Sequence, residues 1–240
     1  MDGLLAILDI GKSNARLLVM DPASDRPLYA ARRPNRSVGG PVRQLDVAGL
    51  GEWLLDSLRD CPDRARIRAI VPVAHGAACV MLDAAGEVVL APDYEDPAFE
   101  GESEAYAQNR DGFAETFSPD LPLGLNLGRQ IFYVQRRLPG QFGRVTRILT
   151  YPQYWAWMLS GIAASEVTSL GCHSDLWSPK SAAFSPLVRR QGWEGLFPPL
   201  RAAADALGPV RPALAPVTPE TETTRNPAAS KSRTLRNRRA

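Results

Sequence analysis

A carboxylate, a glycine and a hydroxyl stand at alternate positions at the end of an apolar run: Asp9, Gly11 and Ser13. The glycine lets the backbone approach a ligand closely or take a positive φ, and the hydroxyl and N–H groups that follow could surround phosphate oxygens. A carboxylate at a strand end could hold hydrated Mg²⁺ beside them. The pattern indicates a phosphate and Mg²⁺ site, with a plain hairpin turn as the alternative.

The same turn imitates the end of a P-loop in its Gly-Lys-Ser order at residues 11–13. A P-loop requires an earlier glycine, which would fall on Ala6, and a helix after the serine. Residues 14–20 are strand-like instead. The sequence therefore excludes a P-loop and predicts two strands joined by a polar turn.

Residues 9–16, Asp-Ile-Gly-Lys-Ser-Asn-Ala-Arg, resemble the first phosphate motif of the FGGY carbohydrate kinases, members of the actin-like ATPase superfamily. The family pattern is Asp-x-Gly-Thr-Ser/Thr-x-x-Arg/Lys. Lys12 stands where threonine is usual, as in the fuculose- and rhamnulose-kinase-like branch. The resemblance implies ATP and Mg²⁺ as cofactors. It assigns Mg²⁺ to Asp9 and the nucleotide to Asp9, Gly11, Lys12, Ser13, Asn14 and Arg16.

A second match begins with the apolar strand predicted over residues 67–74. His75-Gly76 follows, then a hairpin with an Asp-to-Gly turn, then a polar segment, in the order that the family shows. The resemblance implies that these side chains surround the sugar hydroxyls, and the chemistry agrees because a polyol needs fixed donors and acceptors beside an aromatic ring. The implied substrate residues are His75, Asp93, Tyr94 and Glu95.

The elements that must position these segments follow from hydrophobic periodicity. Residues 27–33 predict a third strand in an antiparallel meander, and residues 47–59 predict an amphipathic helix capped by Asp46. The nearly continuous apolar strand at 67–74 is typical of a sheet covered on both sides. The resemblance implies an α/β fold of the ribonuclease-H-like, actin-like ATPase type: a mixed sheet with helices on both faces.

The middle of the chain is less informative. Residues 96–120 predict an irregular connection with one short helix. A helix is predicted from Leu125, with the side chains of Asn126, Arg129 and Gln130 on one solvated face. Another helix should open at Pro152 and close at Gly161.

The resemblance covers residues 4–212, which corresponds to the N-terminal lobe of the family. Residues 213–240 hold six Lys/Arg and two Glu with almost no apolar periodicity, so we expect a disordered basic tail. In the family, the general base and a second lobe follow at this point. The sequence therefore offers no catalytic residue, and we expect a truncation or a shifted reading frame.

Composition narrows the classes of function. The net charge is only +2, and three widely spaced cysteines indicate neither a disulfide framework nor a zinc site. No apolar run reaches membrane-spanning length and no signal peptide is evident, so a cytoplasmic protein is expected. The basic tail lacks interleaved aromatic residues, which argues against a nucleic-acid-binding arm.

Together these features predict a carbohydrate kinase lobe that transfers the γ-phosphoryl group of ATP to a hydroxyl of a sugar, a ketose by preference. Because the general base is missing, the chain alone should be inactive or nearly so, unless a separate C-terminal lobe completes it. The alternative is a non-catalytic lobe that binds sugar or a partner protein. These residues do not identify which sugar is the substrate.

Overall fold

The computed structural model of the protein describes residues 3–24 and 26–214. From residue 215 on, the tail expected to be disordered lies outside the described residues. The strands are β1 (Leu4–Ile10), β2 (Asn14–Met20), β3 (Pro27–Pro34), β4 (Ser37–Val38), β5 (Gln44–Leu45), β6 (Ile67–Ala74), β7 (Cys79–Leu82), β8 (Val88–Leu90), β9 (Arg147–Thr150), β10 (Trp177–Ser178) and β11 (Ala183–Phe184). The helices are α1 (Val47–Asp60), α2 (Ser103–Asn109), α3 (Phe113–Thr116), α4 (Leu127–Arg137), α5 (Pro139–Phe142), α6 (Tyr151–Ser160), α7 (Val167–Leu170) and α8 (Pro186–Arg190).

The main sheet has the strand order β3-β2-β1-β6. β1 and β2 form the predicted hairpin, in which Asp9 lies opposite Arg16. β6 matches the strand predicted at 67–74 and runs parallel to β1. The expected mixed sheet is therefore confirmed. Because β1 and β6 are parallel, the β1–β2 turn and the residues after β6 lie at the same end of the strands.

The helix α1 forms where the sequence predicts it. The Asp46 carboxylate accepts a hydrogen bond from the backbone N–H of Gly49 at 2.9 Å, so it caps the first turn. Leu50, Leu54 and Leu58 recur at helical spacing and are buried against the sheet. Each such leucine contributes roughly 1.5–3 kcal/mol of burial free energy, and the stripe fixes α1, with Asp46 at its start, over β1 and β2.

The helix α6 packs on the same face of the sheet. Pro152 lies in its first turn, and Gly161 closes it with a left-handed φ of 82°. Trp155 is fully buried in the cluster that also holds the inward side chains of β1. Its ring lies 3.9 Å from the place where a Cβ on Gly51 of α1 would stand, so the two helices pack closely.

The opposite face of the main sheet is only partly covered by the described residues. Along β1, buried and half-buried side chains alternate, whereas Val71 and Val73 on β6 are largely exposed. The expected cover of both faces by helices is thus seen on one face within residues 3–24 and 26–214. On that face α1 and α6 belong to one hydrophobic cluster with the sheet.

A second core packs on one face of the three-stranded sheet β8-β7-β9, and the other face of that sheet belongs to the first core. The sequence predicts that the side chains of Asn126, Arg129 and Gln130 lie on a solvated helix face. This prediction is wrong, because all three side chains are buried. The Asn126 amide bonds backbone groups of Leu121, Pro119 and His173, and the Gln130 amide donates to the carbonyl of Ala77 at 2.7 Å. Loops that pass over the helix supply these partners, and they cannot be seen in the local pattern.

The connection at residues 96–120 is more regular than predicted. It contains a 3₁₀ segment (Pro97–Glu102) and two helices, α2 and α3. Phe99 and Tyr106 are fully buried in the second core. Sparse aromatic residues therefore anchor a segment whose composition alone indicates a loop.

Candidate functional site

A cavity of about 220 Å³ lies where the β1–β2 turn meets the end of β6 and the first residues of α1 and α6. The structure brings together there five of the residues predicted from sequence. They are Gly11, Lys12, Ser13, His75 and Glu95. The cavity thus joins the predicted phosphate motif to the predicted substrate segment.

Lys12 is the central cation of this site. Its Nζ bonds a carboxylate oxygen of Asp93, lies 3.4 Å from a carboxylate oxygen of Glu95, and stands 4.8 Å from the centre of the Tyr94 ring. The turn that carries Lys12 is held by Asn35, whose side-chain amide donates to the Gly11 carbonyl at 2.6 Å. The lysine is thereby fixed between the hairpin and the segment 93–95.

Asp93 is fully buried and does not line the cavity. Its carboxylate is bonded by Lys12 and Ser37, and the Arg43 Nε lies 2.9 Å away. Burial opposes ionisation, but the hydrogen bonds from Lys12 and Ser37 outweigh it and leave the pKa of Asp93 below its ordinary value. Asp93 therefore holds Lys12 and the loop before β5, and a sugar could reach it only by displacing one of them.

His75 follows β6 and lies between two aromatic rings, with ring centres 5.4 Å from Tyr94 and 5.0 Å from Tyr151. Its Nδ1 is buried without a hydrogen-bond partner among the described residues. Burial, helped by the charge of Lys12, lowers the pKa of His75 from 6.5 to about 4. The ring is neutral at pH 7 and offers an unmatched polar atom beside the cavity.

Tyr94 and Glu95 complete the predicted substrate segment. Burial raises the pKa of Tyr94 above its ordinary value, so its phenol stays protonated. The Glu95 side chain is 49% exposed and lines the cavity. Glu95 is therefore accessible to a ligand, whereas Tyr94 acts through its ring against His75 and Lys12.

The remaining residues of the phosphate motif lie apart from the cavity. Asp9 and Arg16 form a cross-strand ion pair, with an N–O distance of 2.7 Å. Asn14 accepts from Arg32 at 2.9 Å. These side chains lie on the partly covered face of the main sheet, opposite α1 and α6. The motif is therefore divided, with Gly11, Lys12 and Ser13 at the cavity and Asp9, Asn14 and Arg16 on the other face.

Gly11 does not have the positive φ that its position allows. A Cβ placed there would meet only the Asn14 carbonyl oxygen, at 3.4 Å, which is an ordinary van der Waals contact. The turn itself would thus accept a side chain at position 11, and close approach of a ligand to Gly11 stays a prediction.

Several cavity residues were missed by the sequence analysis as members of the site. They come from the loop after β3 and from two helix starts, and in the sequence only Asp46 carried a signal, as a helix cap. Tyr151 immediately precedes Pro152, which marks the helix but not the cavity. The missed polar residues are Asn35, Arg36, Ser37, Asp46 and Tyr151.

The described residues show neither a preformed metal cluster nor a membrane helix. No three His, Cys, Asp or Glu side chains converge on one point in residues 3–24 and 26–214. In the same ranges, no helix has the length and apolarity needed to cross a bilayer. Asp93 and Glu95 are paired with Lys12 of the turn, and Asp9, on the other side, suits Mg²⁺ only in company with ligand oxygens.

Comparison with solved structures identifies the fold. The chain is similar to a carbohydrate kinase from Novosphingobium aromaticivorans, with 39% identity, a TM-score of 0.81, and coverage of 89% of this chain and 45% of that one. A xylulose kinase from Lactobacillus acidophilus matches at 12% identity and a TM-score of 0.76, covering 88% and 44%. Plasmodium falciparum glycerol kinase matches at 11% identity and 0.73, covering 89% and 46%.

No protein-family model and no curated protein matches the sequence. The chain spans less than half the length of the solved kinases just described. The comparisons do not distinguish the fuculose- or rhamnulose-kinase-like branch. The fold is the ribonuclease-H-like fold of the actin-like ATPases, and the chain resembles the N-terminal part of the carbohydrate kinases of the FGGY family.

Proposed function

We propose that this chain is the sugar- and phosphate-binding lobe of an ATP-dependent carbohydrate kinase. The observation that carries the proposal is the contact of Lys12, in the hairpin turn, with Asp93 and Glu95, in the segment after the second hairpin. This contact places the residues of two motifs around one cavity. A site that transfers phosphate to a sugar needs both ligands side by side.

The sugar occupies the cavity next to His75. The buried Nδ1 of His75 has no partner among the described residues, and a ligand hydroxyl can satisfy it. Glu95 supplies an acceptor, and the ring of Tyr151 offers an apolar edge for C–H groups. A neutral polyol, with a ketose as the preferred class, suits this mixture better than an anion, because Lys12 is already paired with two carboxylates.

The nucleotide phosphates approach the β1–β2 turn. Lys12 and Ser13 face the cavity, and Asp9 with Arg16 lies on the other side of the same turn. Asp9 would hold Mg²⁺ after exchanging its bond to Arg16 for the metal, and Arg16 would then turn to a phosphate. Bound Mg²⁺ supplies charge neutralisation for the phosphoryl group; the protein residues orient and separate the two ligands.

Phosphoryl transfer by this chain requires a general base from elsewhere. Of the carboxylates that line the cavity, Asp46 caps α1 and is paired with Arg33, and Glu95 is paired with Lys12. Both carboxylates already have a cationic partner, so we assign the general base to a segment outside this chain. We therefore propose that a further segment, equivalent to the part of the solved kinases that this chain does not cover, completes the enzyme in the cytoplasm.

Sugar binding is tested by following amide NMR signals during titration with a panel of ketoses. The chain has two histidines, so His75→Asn and His173→Asn form a matched pair of variants. His173 bonds the Leu125 carbonyl outside the cavity and has a φ of 40°, which asparagine tolerates. We expect binding to be weakened by His75→Asn and retained by His173→Asn. Equal effects of both variants, or binding that leaves residues 11–13 and 75 unshifted, would refute the proposal.

A further inference from the structure

Gln130 on α4 is a buried amide behind the candidate sugar site. Its side chain is fully buried and does not line the cavity. The two hydrogens of its Nε2 group donate to two backbone carbonyls, that of Ala77 at 2.7 Å and that of Gly124 at 2.5 Å. One side chain thereby joins two loops that are distant in the sequence.

The first of these loops carries His75. Ala77 lies in the connection between β6 and β7 that begins with His75. On one side of it, the N–H of His75 donates to the Ile10 carbonyl of β1 at 3.3 Å. On the other side, the carbonyl of Ala78 accepts from the N–H of Tyr151 at 3.0 Å. The carbonyl of Ala77, between these two bonds, is the point at which α4 holds the histidine loop.

The second loop leads to Tyr94. Gly124 lies just before α4, and its N–H donates to the Tyr94 carbonyl at 2.8 Å. A Cβ on Gly124 would stand 2.6 Å from the Phe99 ring and 3.0 Å from Cγ of Gln130, so the backbone lies against the amide with no room for a side chain. The backbone of Gly124 therefore connects Tyr94 directly to Gln130.

Resting on the function proposed above, we propose that Gln130 is a positioning residue for the sugar site, and that its amide sets the spacing between the loops of His75 and Tyr94. A planar NH₂ group presents its two N–H bonds at a fixed angle, so the two carbonyls that it bonds keep a fixed separation. In front of them, the rings of His75 and Tyr94 meet edge to face with centres 5.4 Å apart. Loss of the amide lets the loops move apart and opens this ring contact.

Gln135 provides a matched comparison on the same helix. Its Oε1 accepts from the indole N–H of Trp193 at 2.9 Å, and its Nε2 lies 3.4 Å from the Gln191 carbonyl. Both partners follow α8, and Trp193 is buried in the second core. A substitution of Gln135 therefore perturbs α4 and its packing without touching the loops at the cavity.

The spacing is tested by the NOE between the rings of His75 and Tyr94, measured without sugar in Gln130→Met and Gln135→Met. Methionine has a similar shape but no N–H to donate. Both variants should lose stability, which a purely structural role also predicts. We expect the ring NOE to be lost in Gln130→Met and kept in Gln135→Met. An unchanged NOE in Gln130→Met, or equal loss in both variants, would overturn the proposal.

A second variant keeps the test decisive if Gln130→Met does not fold. Gln130→Asn retains the amide but is one methylene shorter, so from the same backbone it can bond only one of the two carbonyls. Circular dichroism checks the fold, and Gln135→Asn is the control. We expect a weakened ring NOE in Gln130→Asn alone. An NOE as strong as that of the native chain would contradict a spacing set by the amide.

The consequence for the ligand is measured by ketose titration of the same variants, followed by amide NMR. We expect Kd to rise at least about tenfold in Gln130→Met and less than about twofold in Gln135→Met, because a site whose supporting contacts loosen loses its preorganised geometry. Unchanged ketose affinity in a Gln130→Met chain whose ring contact is open would overturn the positioning role. Absence of ketose binding by the native chain would instead refute the proposed function, and the ring NOE, which needs no sugar, distinguishes the two failures.

Discussion

Lys12 and Asp93 are 81 residues apart in the chain and joined by a partly buried hydrogen bond in the fold. The lysine comes from the turn of the first hairpin and the aspartate from the segment after the second. This bond fixes the distance between the residues proposed to bind phosphate and those proposed to bind sugar. Lys12, at a position where the family pattern has threonine, supplies the cation of this pair.

Replacing Asp93 should destabilise the protein. Asp93→Ala removes the carboxylate that pairs with Lys12 and Arg43, and we expect a loss of about 2–3 kcal/mol in the free energy of unfolding. Urea denaturation measures it. Asp56→Ala is the control, because Asp56 pairs with Arg59 where both side chains are more than half exposed, and its loss should cost less than about 1 kcal/mol.

Asp93 should also contribute to acid sensitivity. Its folded pKa lies below its ordinary value of 3.8, so the stability it provides is present above that value and is lost as the pH falls through the folded pKa. Urea midpoints measured down to pH 3 should fall more steeply for the native chain than for Asp93→Ala. Parallel curves would show that the carboxylate is not held as described.

His75 gives a separate pH dependence. Its folded pKa of about 4 lies below the ordinary 6.5, so the unfolded chain binds the proton more readily. Stability should therefore fall as the pH drops from 6.5 toward 4, by roughly 3 kcal/mol at most. The ring carbon-bound protons of His75 should titrate near pH 4 by NMR. An inflection near 6.5 for this ring would contradict the buried, neutral histidine.

The buried amide of Asn126, just before α4, tests the packing around the second core. Asn126 bonds three backbone groups and is fully buried, so Asn126→Ala leaves those groups unmatched. We expect a loss of about 2–4 kcal/mol in the free energy of unfolding, measured by urea denaturation. Gln108→Ala on the exposed side of α2 should change it by less than about 0.5 kcal/mol. Similar values for the two variants would argue against the buried network.

Local pattern predicted the parts of the fold whose partners are close in sequence. The β1–β2 hairpin, the cap at Asp46 and the strand 67–74 each carry their own signal, and all are confirmed. The burial of Gln130 and the link between Lys12 and Asp93 depend on segments more than fifty residues away. Such long-range contacts do not change the local hydrophobic periodicity. The sequence therefore could not show whether the polar side of α4 is buried or exposed to solvent.

The roles of residues in the predicted substrate segment also could not be predicted from the sequence. The resemblance grouped Asp93 with Glu95, but burial separates them: Asp93 holds Lys12, while Glu95 reaches the cavity. Likewise, Asp9 and Arg16 turned out to be partners of each other across the hairpin. Residue types at a motif can be predicted from sequence, whereas their division between ligand contact and support requires the packing.

The chain alone should phosphorylate sugars negligibly. General-base assistance is typically worth a factor of about 10²–10⁴, and the carboxylates at the cavity are already committed to other partners. Release of ADP from Mg-ATP with a panel of ketoses measures turnover, with Asp9→Ala as the control. Turnover of about 1 s⁻¹ or faster that Asp9→Ala abolishes would show that a residue of this chain acts as the base.

The most direct measurement of the central proposal is an isotope-filtered NOE experiment on the labelled chain with an unlabelled ketose in excess. We predict contacts from the sugar C–H protons to the rings of His75 and Tyr151, which line the cavity beside Lys12. Contacts confined to the groove between β6 and residues 201–214, or none to either ring at saturating ketose, would contradict a sugar site at this cavity.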